Sequence, residues 1–167
     1  MTTLYVDNIA PNLQSSVAIP GHVIQVVQIG TFSNTSITTL STWTNTNMTL
    51  AITPSSTSSK ILVTATCPVA LAGTGGSVRG ALRLQRTIGA TTTTIWNTTG
   101  QTEHFMNRNS PSEMGQIGGL EFLDEPSTTS SVTYTLQGYI NGDAGANYIR
   151  VDGSAIGGNL VLKEIAG

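Results

Sequence analysis

The sequence predicts an all-β fold, a two-sheet antiparallel jelly roll with a short extended N-terminal arm. Three observations predict it. Threonine alone accounts for 27 residues, and Thr, Ser and Asn together for 54 of 167; branching at Cβ costs less side-chain freedom in a strand than in a helix. Clusters of Gly, Pro, Ser and Asn punctuate the chain about every ten residues, the rhythm of a sandwich or barrel. Between these clusters apolar and polar residues alternate in eight to ten stretches, enough for the roughly eight strands of a jelly roll.

Residues 1–21 read as the arm and residues 22–167 as the jelly-roll domain. Leu4, Val6 and Asn8 alternate with Tyr5, Asp7 and Ile9 until Pro11 and a polar run intervene, and Val17-Ala18-Ile19 ends at the turn signal Pro20-Gly21. The arm has too few apolar groups for a core of its own. The first strand is Val23 to Ile29, followed by a Thr/Ser/Asn-rich passage from Thr31 to Asn47 that holds Trp43. Residues 48–53 alternate, with Met48, Leu50 and Ile52 inward. Pro54 to Ser59 is a loop. The strand opening at Lys60 is expected to stop at Pro68, which cannot donate to a ladder. Its inward face carries Ile61, Val63, Ala65 and the single cysteine, Cys67, read as a small buried hydrophobe.

Gly73-Thr74-Gly75-Gly76 turns the chain into a strand over Val78–Thr87, and Gly89-Ala90 into one over Thr91–Trp96. Residues 97–114 read as polar and irregular. A strand over Gln116–Leu123 leads into a loop opened by Asp124-Glu125-Pro126, whose two acids look solvated. The most regular strand follows: Val132, Tyr134, Leu136 and Ile140 lie on one face, with Thr133, Thr135, Gln137 and Tyr139 on the other. Asn141-Gly142 is a hairpin signal. Tyr148–Asp152 is short, and Asn159–Ile165 closes the chain. Several strands are apolar on both faces: Val23, Ile24, Val26 and Val27; Leu160, Val161 and Leu162; Leu120 and Phe122 against Ile117 and Leu123. Either a second buried surface, such as a subunit contact, or full cover of a central strand accounts for this.

Composition excludes several function classes. Hydrophobic residues make 38% of the chain, too many for a disordered one. No apolar run approaches the roughly 18 residues of a membrane-spanning helix. Met1 to Asp7 show no leader pattern. No membrane partner is expected. Net charge is −2, and the basic residues Lys60, Arg79, Arg83, Arg86, Arg108, Arg150 and Lys163 are scattered. Arg79 and Arg83 share a strand parity that Arg86 lacks, so no clustered basic face forms and nucleic acid is not expected as a partner. Charged residues are 10% of the chain, against about 25% in ordinary soluble domains. Such a chain covers itself with neutral hydroxyls and amides or buries its outside against partners.

The stock of reactive groups is small. One cysteine excludes an intrachain disulfide. The two histidines, His22 and His104, are far apart in sequence. No His-Glu-x-x-His is present. The glycine run at 73–76 lacks the lysine of a phosphate cradle, and Gly142-Asp143-Ala144-Gly145 has one acid, too few for calcium. The Asn-x-Ser/Thr triplets at Asn34, Asn47 and Asn97 follow from composition. His104, near Glu103 and Arg108, reads as a surface residue. No catalytic residue, cofactor or metal site is therefore assigned, and the chain is expected not to be an enzyme.

Four stretches carry a family resemblance. They are Leu4-Tyr5-Val6-Asp7-Asn8-Ile9 with Ser16 to Val27, Ile52 to Val63 around Pro54, Asp124 to Gln137 around Pro126, and the ending Leu162-Lys163-Glu164-Ile165-Ala166-Gly167. Their order resembles virion structural proteins of tailed bacteriophages, cyanophages in particular. The resemblance implies a tumour-necrosis-factor-like jelly-roll knob on the outside of the particle, of the capsid decoration (cement) or fibre type, and carries over no catalytic residue. The chain has no heptads, collagen triplets or repeated β units that would build a shaft, which favours decoration. The expected protein is a homotrimer on the outer head surface of the virion, made in the host bacterial cytoplasm, with itself and the major capsid protein as partners. Leu4, Val6, Ile9, Val17 and Ile19 are the expected capsid-docking anchors, and Val23, Val27, Tyr139 and Val161 the expected trimer contacts. The alternative is a head- or tail-fibre knob that binds a host surface glycan, with Trp43 or Trp96 stacking on sugars.

Overall fold

The computed structural model describes residues 19–73, 76–97, 104–108, 113–142, 147–151 and 157–167. Eleven strands run through them: β1 (Val23–Ile29), β2 (Thr35–Ile37), β3 (Thr44–Ile52), β4 (Lys60–Gly73), β5 (Ser77–Ile88), β6 (Thr91–Trp96), β7 (Phe105–Arg108), β8 (Met114–Asp124), β9 (Val132–Gly142), β10 (Asn147–Val151) and β11 (Asn159–Ile165). Anchors Leu4, Val6, Ile9 and Val17 of the expected arm lie outside the described residues.

Two antiparallel sheets form a sandwich. The six-stranded sheet runs β1-β11-β4-β10-β2, with β8 along the other edge of β4; the five-stranded sheet runs β3-β9-β5-β6, with β7 also on β5. The chain passes from one sheet to the other between β2, β3, β4 and β5 and again between β7, β8, β9 and β10. That wrapping sets β1-β11-β4-β8 against β3-β9-β5-β6, which is a jelly roll.

Both sheets follow one plan. Each has a long central strand that pairs with one long partner on one side and two short strands end to end on the other. On β4, β8 pairs from Ile61 to Leu71, while β11 covers Lys60 to Thr66 and β10 covers Val69 to Gly73. On β5, β9 pairs from Val78 to Ile88, while β7 covers Ser77 to Gly80 and β6 covers Leu84 to Ile88.

This plan explains why Pro68 does not end β4, contrary to the sequence expectation. Pro68 falls in the junction between β11 and β10, where neither short strand reaches it. The N–H it lacks is not needed there. Asn141-Gly142 likewise forms no two-residue hairpin. Both residues belong to β9, and β10 lies in the other sheet. The stretch 97–114, read as irregular, contains β7 and the start of β8, and the Thr-rich passage before residue 48 contains β2 and the start of β3.

The alternating residues meet between the sheets. Met48, Ile61, Val63, Leu84, Leu136, Ile149, Leu160 and Leu162 are all buried there. Cys67 joins them, and burial pushes its thiol up to about 12; it is inert toward oxidation and alkylation in the folded chain.

Candidate assembly surface

The described parts of the motifs behind the resemblance converge on one end of the sandwich, and what they build there is architecture. Asp124 at the end of β8 and Glu164 on β11 both stand opposite Ile61 of β4. Strand parity turns both carboxylates inward, so Asp124 is buried, not solvated as its loop-like sequence suggests. Arg86 Nη1 donates to Asp124 Oδ1 at 2.8 Å, and the Tyr134 hydroxyl donates to Oδ2 at 2.7 Å. These bonds tie β8 of one sheet to β5 and β9 of the other. Burial, and then the bond to Asp124, push the Tyr134 phenol upward.

Glu164 is held in a similar way. The Ser55 N–H and hydroxyl donate to its Oε1 at 2.7 and 2.6 Å, and Gln25 Nε2 donates to Oε2 at 2.6 Å. Burial pushes its carboxyl upward, but the Ser55 and Gln25 bonds outweigh it and hold the group below 4.5. Lys60 pairs with exposed Glu125 at 2.6 Å. Ala166 closes this end by exchanging 2.8 Å backbone bonds with Gly21 and His22.

The outer faces of the two sheets differ in chemistry. On the five-stranded sheet the outward row is Thr133, Thr135, Gln137 and Tyr139 on β9, beside Arg79, Ala81, Arg83, Gln85 and Thr87 on β5. On the six-stranded sheet, Leu62 of β4 stands between Leu123 of β8 and Lys163 of β11, with Val26 of β1 beyond. Pro68 stands beside Ile117. Ile117 is 75% exposed, Val26 54% and Val23 53%. Lone exposed apolar residues are ordinary; here several share one sheet face, interrupted by Lys163 across the strands and by Thr64 beside Glu121 along them, which makes this face the candidate contact surface. The edge of β8 adds to it, because β8 pairs with β4 alone among the described strands and leaves polar backbone groups open to another chain.

The expected contact residues separate on this map. Val23 and Val161 lie on the apolar outer face. Ile19, exposed, accepts from His22 N at the turn leading into β1. Val27 pairs with Leu162 and packs against the core from inside. Tyr139 lies on the opposite sheet, its ring 5.0 Å from that of Trp43. The four expected trimer contacts therefore do not share one surface.

Two depressions of about 400 Å³ each flank Ile117. The first, over β4, is floored by Pro68 and Ala70. At its rim Arg150 Nη2 meets Glu113 Oε1 at 2.8 Å and the Tyr148 hydroxyl donates to Glu113. The second opens between β8 and the edge of the other sheet, lined by Leu82, Trp96, His104, Phe105 and Gly118. A Cβ on Gly118 would stand 3.1 Å from Leu82, Phe105 and Val69, so a side chain there would make these neighbours give way by a few tenths of an ångström. No group of His, Cys, Asp and Glu among the described residues could hold a metal ion.

No family model and no curated protein matches the chain. It is similar to the solved structure of infectious bursal disease virus Gt strain, at 9% identity and a TM-score of 0.43. That match covers 97% of this chain and 43% of the other, so this chain spans less than half of that protein's length.

Sequence reasoning missed two sets of partners. The buried roles of Asp124 and Glu164 were legible from strand parity, had Asp124 been counted in β8. The second set had no local signal. Trp43 precedes β3 and packs on Tyr139 of β9, and the Arg83 guanidinium of β5 lies 4.5 Å over the Trp43 ring. Trp96 sits 5.6 Å from the His104 ring in the second depression. The two tryptophans proposed for sugar stacking thus occupy different places.

Proposed function

We propose that the chain is a virion structural protein, a capsid decoration protein that sits on the outer head surface as a homotrimer and ties capsid-subunit boundaries together. It works by contact and not by catalysis. The observation that carries this reading is the asymmetry of the sandwich: one sheet turns Val23, Val26, Leu123 and Ile117 outward while the other turns out threonines, glutamines and arginines. The apolar side supplies the contact between copies, and the motif resemblance supplies the setting. An arm of about 20 residues reaches at most about 70 Å when extended, which suits a strap across neighbouring subunits. A protein that binds the assembled shell and not its separated parts stabilises the shell by mass action.

The test joins native mass spectrometry to a coating assay on purified phage heads. The intact chain should appear at three times 17.4 kDa and coat the heads. The chain lacking residues 1–20 should keep its fold, because the backbone bonds that close the domain begin at Gly21, and should no longer coat. A lone monomer that ignores heads, or full coating by the truncated chain, would reject the reading.

A further inference from the structure

The outer face of the five-stranded sheet carries a cation that the fold holds in place and does not neutralise. Arg86 and Arg150 each meet a carboxylate, at 2.8 Å in both cases. Arg83 meets none among the described residues. Its Nε donates to Gln137 Oε1 at 2.5 Å, and Gln137 Nε2 donates to Asn45 Oδ1 at 2.6 Å. Asn45, Gln137 and Arg83 are register partners in one row across β3, β9 and β5. Trp43 fixes the guanidinium from its ring side. With Nε engaged, the two terminal nitrogens, Nη1 and Nη2, have no protein acceptor among the described residues. Nearly buried Gln137 aims the group, and the Trp43–Tyr139 pair stands beside it.

A guanidinium held this way presents parallel N–H donors in the spacing of a carboxylate. The adjoining ring pair offers a rigid apolar surface, as a pyranose ring needs for its C–H face. Asn45 and the surrounding threonines supply partners for hydroxyls.

We propose that this platform binds a saccharide bearing a carboxylate, a uronic-acid-type residue, with the acid group on Arg83 Nη1 and Nη2 and the sugar ring against Trp43 and Tyr139. The site faces away from the apolar sheet, so assembly and saccharide binding are separable, and this inference does not rest on the assembly reading.

The test uses the full chain carrying W96F, which leaves Trp43 as the one fluorescent tryptophan of the two. The probes are tetragalacturonate, its fully methyl-esterified form, and a glutamate-rich peptide. Tetragalacturonate should change Trp43 emission saturably. The ester, which cannot accept the charged fork, should bind at least about tenfold more weakly, the scale of a charge-assisted pair. R83Q should weaken tetragalacturonate equally and leave ester binding and head coating unchanged, while the folded chain melts somewhat earlier because Gln137 Oε1 loses its donor. Should W96F fail to fold, the Arg83 Nε–H resonance of the unsubstituted chain reads the same titration. Absence of saturable binding, equal affinity for acid and ester, insensitivity to R83Q, or tighter binding of the peptide would each overturn the proposal. Loss of head coating in R83Q would assign the platform to the shell and overturn it as well.

Discussion

Asp124 shows how one side chain fastens the two sheets. Its carboxylate meets a guanidinium and a phenol away from water, so removing it strands both partners. Asp124→Ala should cost about 3–5 kcal/mol, the scale of a broken buried pair. Tyr134→Phe, which removes one hydrogen bond to a charged acceptor, should cost about 1.5–3 kcal/mol; urea melts of both variants check the order. Glu164 makes the matching prediction for pH. Its folded pKa lies below 4.5, so the unfolded chain takes the proton first as pH falls. The stability Glu164 contributes is complete above about pH 4.5 and is lost as pH drops through the folded value. Glu164→Gln should therefore be less stable at pH 7 and flatter than the parent between pH 5 and pH 3 in the same melts. Parity along β8 and β11 makes both acids legible in the sequence, because each falls on the inward phase of an apolar alternation. Their partners are not legible, since Ser55 lies 109 residues from Glu164 and Gln25 lies 139; only folding brings them together.

At the level of elements, the strands with clean alternation were legible. β1, β6 and β11 have the ends that the sequence predicts. What the sequence did not show was the end-to-end pairing of short strands on long ones, because pairing partners leave no mark in local periodicity. That arrangement opens a gap beside β5 between β6 and β7, at Leu82. Two side chains fill it: His104 Nδ1 accepts from Leu82 N at 3.2 Å, and Asn97 Nδ2 donates to Leu82 O at 3.0 Å. The first bond requires a neutral imidazole with its proton on Nε2, and burial holds the His104 pKa below 6.5. The unfolded chain therefore binds the proton first. The contribution of His104 is complete above about pH 6.5 and shrinks as pH falls through the folded value. His104→Phe should cost about 1–3 kcal/mol at pH 7.5 by leaving the Leu82 N–H unpaired, and should lose less stability than the parent between pH 7 and pH 5. A parent whose melting point is flat across that range would show that the imidazole does not carry the bond.

Across the described residues the sandwich is two-sided, and the two sides make opposite demands on substitution. The apolar sheet face gains nothing from water, so a charge placed there harms only what covers it. Ile117→Asp and Val26→Glu are at exposed positions, where a surface substitution changes monomer stability by about 0.5 kcal/mol or less. If copies meet through this face, each buried charge would lack a partner and cost several kcal/mol at the contact, shifting the intact chain from trimer to monomer at micromolar concentration. Ala51→Glu, exposed on β3 of the other sheet, adds the same kind of charge and should leave the oligomer intact. Sedimentation velocity on the three variants separates a face-specific effect from a general one. Loss of the oligomer in Ala51→Glu alone would place the contact on the threonine-rich side, and the apolar row would then need another occupant, which the coating assay on heads would have to reveal through Ile117→Asp.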